Sequence, residues 1–335
     1  ANEPVREKVH MNARSLQQTL LIPLVAAFFG VAASADADLI HRWSFNELSG
    51  TTVQDSVGGA HGALKQIVVD GTPAGSLPFL DGVQATLDGV GGYIDLPNGL
   101  ISELTNVTFE IWMTWHDASQ AIQWLWGVGS ITNAQADGSG LGSLEDTDGT
   151  LRDANGGLYL GTRYFYFTPQ YGTGAGDRAR TGVSDGTDAS PWTEERPVLR
   201  LDAFQLPVGY EVHLAVTYGP TGARLFYLGS QYAAGYVTNM IPLSEIEDVN
   251  FWLGRSLYGA DPMFAGSINE FRIHDRQLTS QELTASFYSG SPDIVNYGAG
   301  AATSLTMTLA DNMVVGFVQT PQLTASFANI GTITI

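Results

Sequence analysis

No cysteine occurs among the 335 residues. That excludes disulfides, thiolate zinc sites and cysteine nucleophiles together. Any cross-linking of loops must come from packing or from a metal held by oxygens. Basic residues are the second shortage: 15 Lys and Arg stand against 34 Asp and Glu, for a formal net charge of −19. The few bases are scattered, which disfavours a nucleic acid partner, because phosphate binding needs clustered Lys and Arg. So acidic a surface suits a soluble exported protein and leaves many oxygens for a hard cation such as calcium. Short catalytic motifs are missing as well. His41, His61, His116, His213 and His274 form no H-x-H or H-E-x-x-H pattern, and no G-x-S-x-G elbow exists. "GTGAG" at 172–176 does not lead from a strand into a helix, so it is no phosphate loop. Before residue 279 no segment shows a 3.6-residue period.

What is present is glycine, 39 residues of it, in a chain that is 44% apolar. That combination supports a sizeable core built from many short strands and tight turns. The beginning reads as a processing segment. From Met11, Arg14 supplies a positive start and Leu20 to Val31 an apolar stretch, too short for a membrane span. Ala33-Ser34-Ala35 and Ala35-Asp36-Ala37 both suit cleavage, so residues 11–37 are expected to be a signal peptide. Residues 1–10 are an upstream extension or scar. Removing 1–37 takes away three bases (Arg6, Lys8, Arg14) and three acids (Glu3, Glu7, Asp36), so the mature charge stays at −19.

From residue 38 the period is two. "VTFEIWMTW" places Val107, Phe109, Ile111, Met113 and Trp115 on one face, with Thr108, Glu110 and Thr114 on the other. "YEVHLAVTY" places Tyr210, Val212, Leu214, Val216 and Tyr218 together. "RLFYLGSQY" predicts a hairpin with Gly229-Ser230 as a type II′ turn. The one helix signal is "LTSQELTASFYSG". Thr279 and Glu282 are spaced as a capping box, Leu278 and Leu283 as a staple, and Gly290 as a stop. Residues 291–303 then read as a linker, and 304–335 as the start of a truncated second β module.

Five blocks carry a family resemblance: "RWSFNELSGTTVQDSVG" (42–58), "GGYIDLP" (91–97), "VTFEIWMTW" (107–115), "HLAVTYGPTGARLFYLGS" (213–230) and "FWLGRSLYGADPMFAGSINEFRIHDRQLTSQEL" (251–283). In this order they resemble bacterial laminin-G-like domains of the concanavalin A-like lectin/glucanase superfamily, over residues 38–290. The resemblance implies an all-β, two-sheet antiparallel jelly-roll sandwich with one short C-terminal helix, its first and last strands adjacent. The segment after the linker more loosely resembles the opening of an immunoglobulin-like module.

Glu270, in "SINEFRI", has three readings: frame, catalytic carboxylate or metal ligand. As frame it pairs with Arg272 on an outward strand face, a contact worth under about 1 kcal/mol at a surface. Catalysis needs a partner carboxylate. Relatives that cut β-glucans carry Glu-x-Asp-x-x-Glu on one strand, and "NEFRIHD", "TFEIWMT" and "EIED" all lack it. The expectation is therefore no enzyme. The resemblance further implies one structural calcium, with Asp55, Asn269 and Glu270 as its candidate ligands. Asn269 stands where many relatives have Asp, and Asp55 has the alternative of an Asx turn. "LEDTDGTLRDANGG" (144–157) lacks the ligand spacing of a calcium loop and reads as solvated.

Aromatic residues complete the candidate set. "QWLWG" is read as placing Trp124 and Trp126 on one face. "RYFYFTPQY" places Tyr164 and Tyr166 on one face, with Phe165 and Phe167 on the other. Trp192, in the Gly/Asp-rich loop 171–196, is placed to close over a groove. Trp124, Trp126, Tyr164, Tyr166 and Trp192 are thus the candidate ligand-binding residues, since rings of this kind stack on sugar faces. Core packing is the competing role for each. The expected protein is secreted or cell-surface: a non-catalytic recognition module for glycan or for cell-surface or matrix protein. It has no membrane span in the mature chain and is followed by further β modules. The alternatives are an adhesive spacer that binds protein, and a glycoside hydrolase.

Overall fold

A computed structural model of the chain describes residues 39–133, 145–146, 149–151, 158–172, 178–186 and 190–290. The expected extension, signal peptide, linker and second module lie outside the described residues, as does most of 144–157.

Alternation of apolar and polar residues builds two antiparallel sheets. The first runs β16 (Ser230–Gly235), β15 (Gly222–Tyr227), β14 (Glu211–Gly219), β9 (Val107–Trp115), β18 (Ala265–His274), β7 (Ala85–Asp88) and β6 (Phe79–Leu80). β1 (Leu39–Trp43) joins it: β18 pairs with β7 through Ala265–Ile268 and with β1 through Phe271–His274. The first and last strands are therefore neighbours, as the resemblance implied. The second sheet runs β13 (Leu199–Arg200), β12 (Arg180–Asp185), β11 (Tyr159–Thr168), β10 (Trp126–Asn133), β17 (Asn250–Leu253), β8 (Gly92–Leu96), β3 (Gly62–Gln66) and β2 (Thr52–Val53). β4 (Val68–Val69) and β5 (Thr72–Pro73) form a separate ribbon. This is the expected jelly-roll sandwich.

The core lies between the sheets. Val107, Phe109, Ile111, Met113 and Trp115 of β9 all enter it, as their spacing predicts. At its centre the Phe109 ring sits 4.5 Å from Trp126 and 6.0 Å from Phe271, joining the two layers. Val212, Leu214, Val216 and Tyr218 enter from β14. Tyr210 does not: β14 starts at Glu211, and Tyr210 precedes it, exposed.

The outer face of the first sheet is covered by α1 (Ser280–Ser289). Its capping box is present: Thr279 Oγ1 accepts from the Glu282 N–H at 3.3 Å, and Glu282 Oε2 accepts from the Thr279 N–H at 2.8 Å. Leu278 and Leu283 pack on Ala215 and Phe226 of the sheet. The hairpin beside it differs from expectation by one residue. Tyr227 pairs with Ser230, so the turn is Leu228-Gly229, with both φ values positive at 49° and 74°. That is the sign pattern of a type I′ turn, whose twist matches that of the flanking strands. Thr284 of α1 donates to the Gly229 carbonyl at 2.8 Å, so the turn is bonded to the helix.

Candidate functional site

The outer face of the second sheet carries a layer of aromatic side chains. Alternation along β11 sends Phe165 and Phe167 into the core and Tyr164 and Tyr166 outward. Trp124 joins the tyrosines, stacking on Tyr166 with ring centroids 4.3 Å apart and planes at 19°. Trp126 does not join them. It is buried in the inter-sheet core, which corrects the expectation that the two tryptophans share a face. The reason is local. β10 begins at Trp126, so Trp124 lies outside the alternation. Its ring lies on the sheet over Gly127, where a Cβ would come within 2.5 Å of it. Only glycine permits that approach.

Around this layer two loops raise the walls of a cleft of about 220 Å3, lined by Ile122, Trp124, Tyr166, Tyr171, Trp192, Glu195, Tyr258 and Asp261. Trp192 sits on the 3-10 turn Pro191–Thr193 at the rim, 44% exposed, with its ring 6.0 Å from Tyr258. Tyr258 in turn bonds Tyr164 through the two hydroxyls at 3.2 Å. Tyr164 and Tyr166 are themselves almost fully buried, so they form the floor and its support rather than an open platform. Burial pushes the hydroxyl pKa of both well above the ordinary value.

Two carboxylates face this cleft in different states. Glu195 accepts from Tyr164 Oη at 2.8 Å and Tyr166 Oη at 3.1 Å, and is paired with the Arg180 guanidinium. Burial raises its pKa, while Arg180 and the two phenols pull it back. Asp261 has Ser256 Oγ at 2.6 Å and no paired cation among the described residues. Burial pushes its carboxyl up to about 7. Trp124 Nε1–H is buried with no hydrogen-bond partner among the described residues. An unpaired buried donor costs free energy unless a ligand or water satisfies it. Tyr171, Glu195, Tyr258 and Asp261 were not legible as site residues, since no motif marks them. Their only signal was position in the loops at 171–196 and before the last strand.

The calcium candidates do not form a ligand set. Asp55 is a hub for N–H donors. Oδ1 accepts from the amides of Arg42 (2.9 Å), Val57 (3.0 Å) and Gly58 (3.0 Å), and Oδ2 from the Ala60 amide (2.9 Å), with His41 Nδ1 at 2.7 Å. Both oxygens are occupied by donors, which a cation would have to displace. Glu270 is bound by the guanidinium groups of Arg42 and Arg272. Only Asn269 has a buried oxygen without a partner among the described residues. Among the described residues no group of three or more His, Asp or Glu side chains is arranged to hold a metal. Glu270 is also not at a surface. It is fully buried, because β1 flanks it and Arg272 reaches to Ser286 of α1 at 3.1 Å. Its place is in the frame.

A second buried carboxylate shares that face. Glu110 on β9 lies 3.1 Å from His213 Nε2 on β14 and 2.8 Å from His274 Nε2 on β18. Burial raises its pKa, but the two imidazoles and Arg272 hold it well below the ordinary carboxylate range. It ties three adjacent strands under the helix. Asp146, from the Asp/Gly-rich segment, is committed to Arg255 at 2.5 Å, and that guanidinium lies 3.9 Å over the Trp252 ring.

A two-sheet antiparallel sandwich with an aromatic cleft on the outer face of one sheet defines a lectin-like jelly roll. A family profile, Laminin_G_3, described as the concanavalin A-like lectin/glucanases superfamily, matches residues 88–284. The chain belongs to that superfamily. No curated protein matches the chain. Among solved structures it is similar to domain 4 of AbnA, an extracellular GH43 arabinanase from Geobacillus stearothermophilus in complex with arabinotriose. Identity there is 19%, over 74% of this chain and 97% of that one, with a TM-score of 0.49. It is also similar to the ligand-binding domain of botulinum neurotoxin serotype D in complex with N-acetylneuraminic acid (11% identity, 76% of this chain, 51% of that chain, TM-score 0.45). A third likeness is to a Trypanosoma rangeli sialidase mutant displaying trans-sialidase activity (17%, 77% and 34%, TM-score 0.42). The chain thus spans about half of the toxin domain and a third of the sialidase. Among the described residues no helix is long and apolar enough to cross a membrane.

Proposed function

We propose that this domain is a non-catalytic carbohydrate-recognition module of an exported protein, and that its binding site is the cleft between Trp192 and Asp261. The observation that carries the reading is the aromatic lining: Trp124, Tyr166, Tyr171, Trp192 and Tyr258 converge on one cleft. Sugars match that surface. Their C–H faces stack on rings and their hydroxyls both donate and accept. The volume of about 220 Å3 suits one ring or a chain end. The non-catalytic part rests on Glu195. Glycoside hydrolysis of the usual kind needs two available carboxyl groups. Glu195 spends its oxygens on Arg180, Tyr164 and Tyr166, which leaves Asp261 alone.

The test is retardation of the full chain in native gels loaded with a panel of polysaccharides, beside Trp192→Ala. Retardation of the wild type that the variant loses supports the assignment. Retardation that survives in the variant moves the site elsewhere. No retardation across the panel overturns the reading.

A further inference from the structure

The cleft has an imbalance of charge. Among the described residues its lining includes two carboxylates and no Lys, Arg or His. Glu195 is compensated where it stands by Arg180, whose guanidinium also lies 3.7 Å over the Tyr171 ring. Arg180 is therefore committed, and both partners of that pair are nearly buried. Asp261 is not compensated. Ser256 Oγ bonds its Oδ2, and Oδ1 has no hydrogen-bond partner among the described residues.

We propose that the cleft selects uncharged sugar units and rejects carboxylate-bearing ones, with Asp261 as the specificity-determining residue. This rests on the reading of the cleft as a glycan site. A neutral ring can donate a hydroxyl hydrogen to Asp261 Oδ1 and stack its C–H face on Trp192 at the rim. A uronic or sialic acid carboxylate brought to the same place meets a second anion, with no Lys, Arg or His among the described lining residues to receive it. Arg180 would have to leave Glu195 to do so, stranding a buried charge. Discrimination between two ligands is set as much by such a repulsive element as by attraction. The Asp261 carboxyl titrates at about 7, so it carries its charge on the alkaline side and loses it on the acid side. Rejection of acidic sugars should follow that charge, strong above neutrality and relaxed below it.

The experiment uses the full chain and matched probes: neutral hexose oligosaccharides and their C6-oxidised counterparts, with sialylated and desialylated lactose as a further pair. Affinities are measured near pH 8 and near pH 5.5 for wild type and Asp261→Asn. The expected result is binding of a neutral member, with its acidic counterpart weaker by about tenfold or more at the higher pH. That gap should narrow at the lower pH, and in Asp261→Asn it should be small at both. Equal or tighter binding of the acidic member near pH 8 overturns the selectivity while leaving the glycan site standing. A gap that ignores both pH and Asp261→Asn assigns the rejection to the overall negative charge and removes Asp261 from it. Failure of every probe to bind takes down the glycan reading and this one with it.

Discussion

Arg42 Nε donates to Glu270 Oε1 at 2.9 Å, joining two residues 228 positions apart in the chain. The bond fastens β1 to β18, the strand that also pairs with β9 at the centre of the first sheet. Arg272 holds the same carboxylate, and its guanidinium lies 4.5 Å over the Trp112 ring. Removing the anion leaves two guanidinium groups facing each other, one of them largely buried. Glu270→Ala should therefore lower stability by about 3 kcal/mol, the scale for breaking a buried pair. The midpoint of urea unfolding reads this directly, and polysaccharide retardation at low urea should be unchanged. A shift of under about 1 kcal/mol would return Glu270 to the class of surface pairs.

Asp55→Ala should cost about 3 kcal/mol, since several buried donors lose a charged acceptor together. The loss should be equal in calcium and in chelator. A loss seen only in calcium would restore the metal role. Acid should act on the same group. Burial pushes the Asp55 carboxyl up, but the Arg42 amide, His41 and the turn amides bring it down to about 2, from 3.8. A lowered folded value means stability is present above the ordinary pKa and lost as pH falls toward the folded one. The wild-type chain should lose this contribution between about pH 4 and pH 2, and Asp55→Ala should show a flatter curve there.

Glu110 predicts a second acid-sensitive lock. Its folded pKa lies well below the ordinary value, so its contribution is also present above 4.5 and lost in acid. Glu110→Gln keeps the volume and removes the charge between His213 and His274. It should lower stability near neutral pH by about 2–3 kcal/mol and reduce the steepness of the acid limb. An unchanged acid limb, measured by unfolding from about pH 6 to pH 2, would show that the cluster does not carry the pH dependence.

Two tryptophans separate binding from folding. Trp192 is exposed at the rim, so Trp192→Ala should leave stability within about 0.5 kcal/mol. It should weaken polysaccharide binding by about 1 kcal/mol or more, the worth of one ring contact. Trp126 fills the core, and Trp126→Ala should cost about 3–5 kcal/mol of stability. Binding loss without stability loss in Trp126→Ala would place the site on the wrong side of the sheet.

The sequence by itself determined the strands and the helix cap, through local rules: period-two alternation in β9, β11 and β14, and the three-residue spacing of Thr279 and Glu282. The sandwich came from the sequence only through the family resemblance. The division into two faces was also legible where alternation ran unbroken, as for Phe165 and Phe167 against Tyr164 and Tyr166, but which of the two met the core was decided by the structure. Legibility failed at Trp124, which precedes its strand and lies on the bare backbone of Gly127, a contact no spacing encodes. It failed by one residue at Leu228-Gly229, a turn that is bonded to the packed helix. Only tertiary structure decided the charges. Glu270 and Arg272 read as a surface pair until Arg42, from the other end of the described chain, completed their partners. Glu195 and Asp261 differ in charge compensation because Arg180 reaches one and not the other. Charge compensation acts over a few ångströms of space between residues distant in the chain, and so the candidate site emerged only when the loops were assembled over the second sheet.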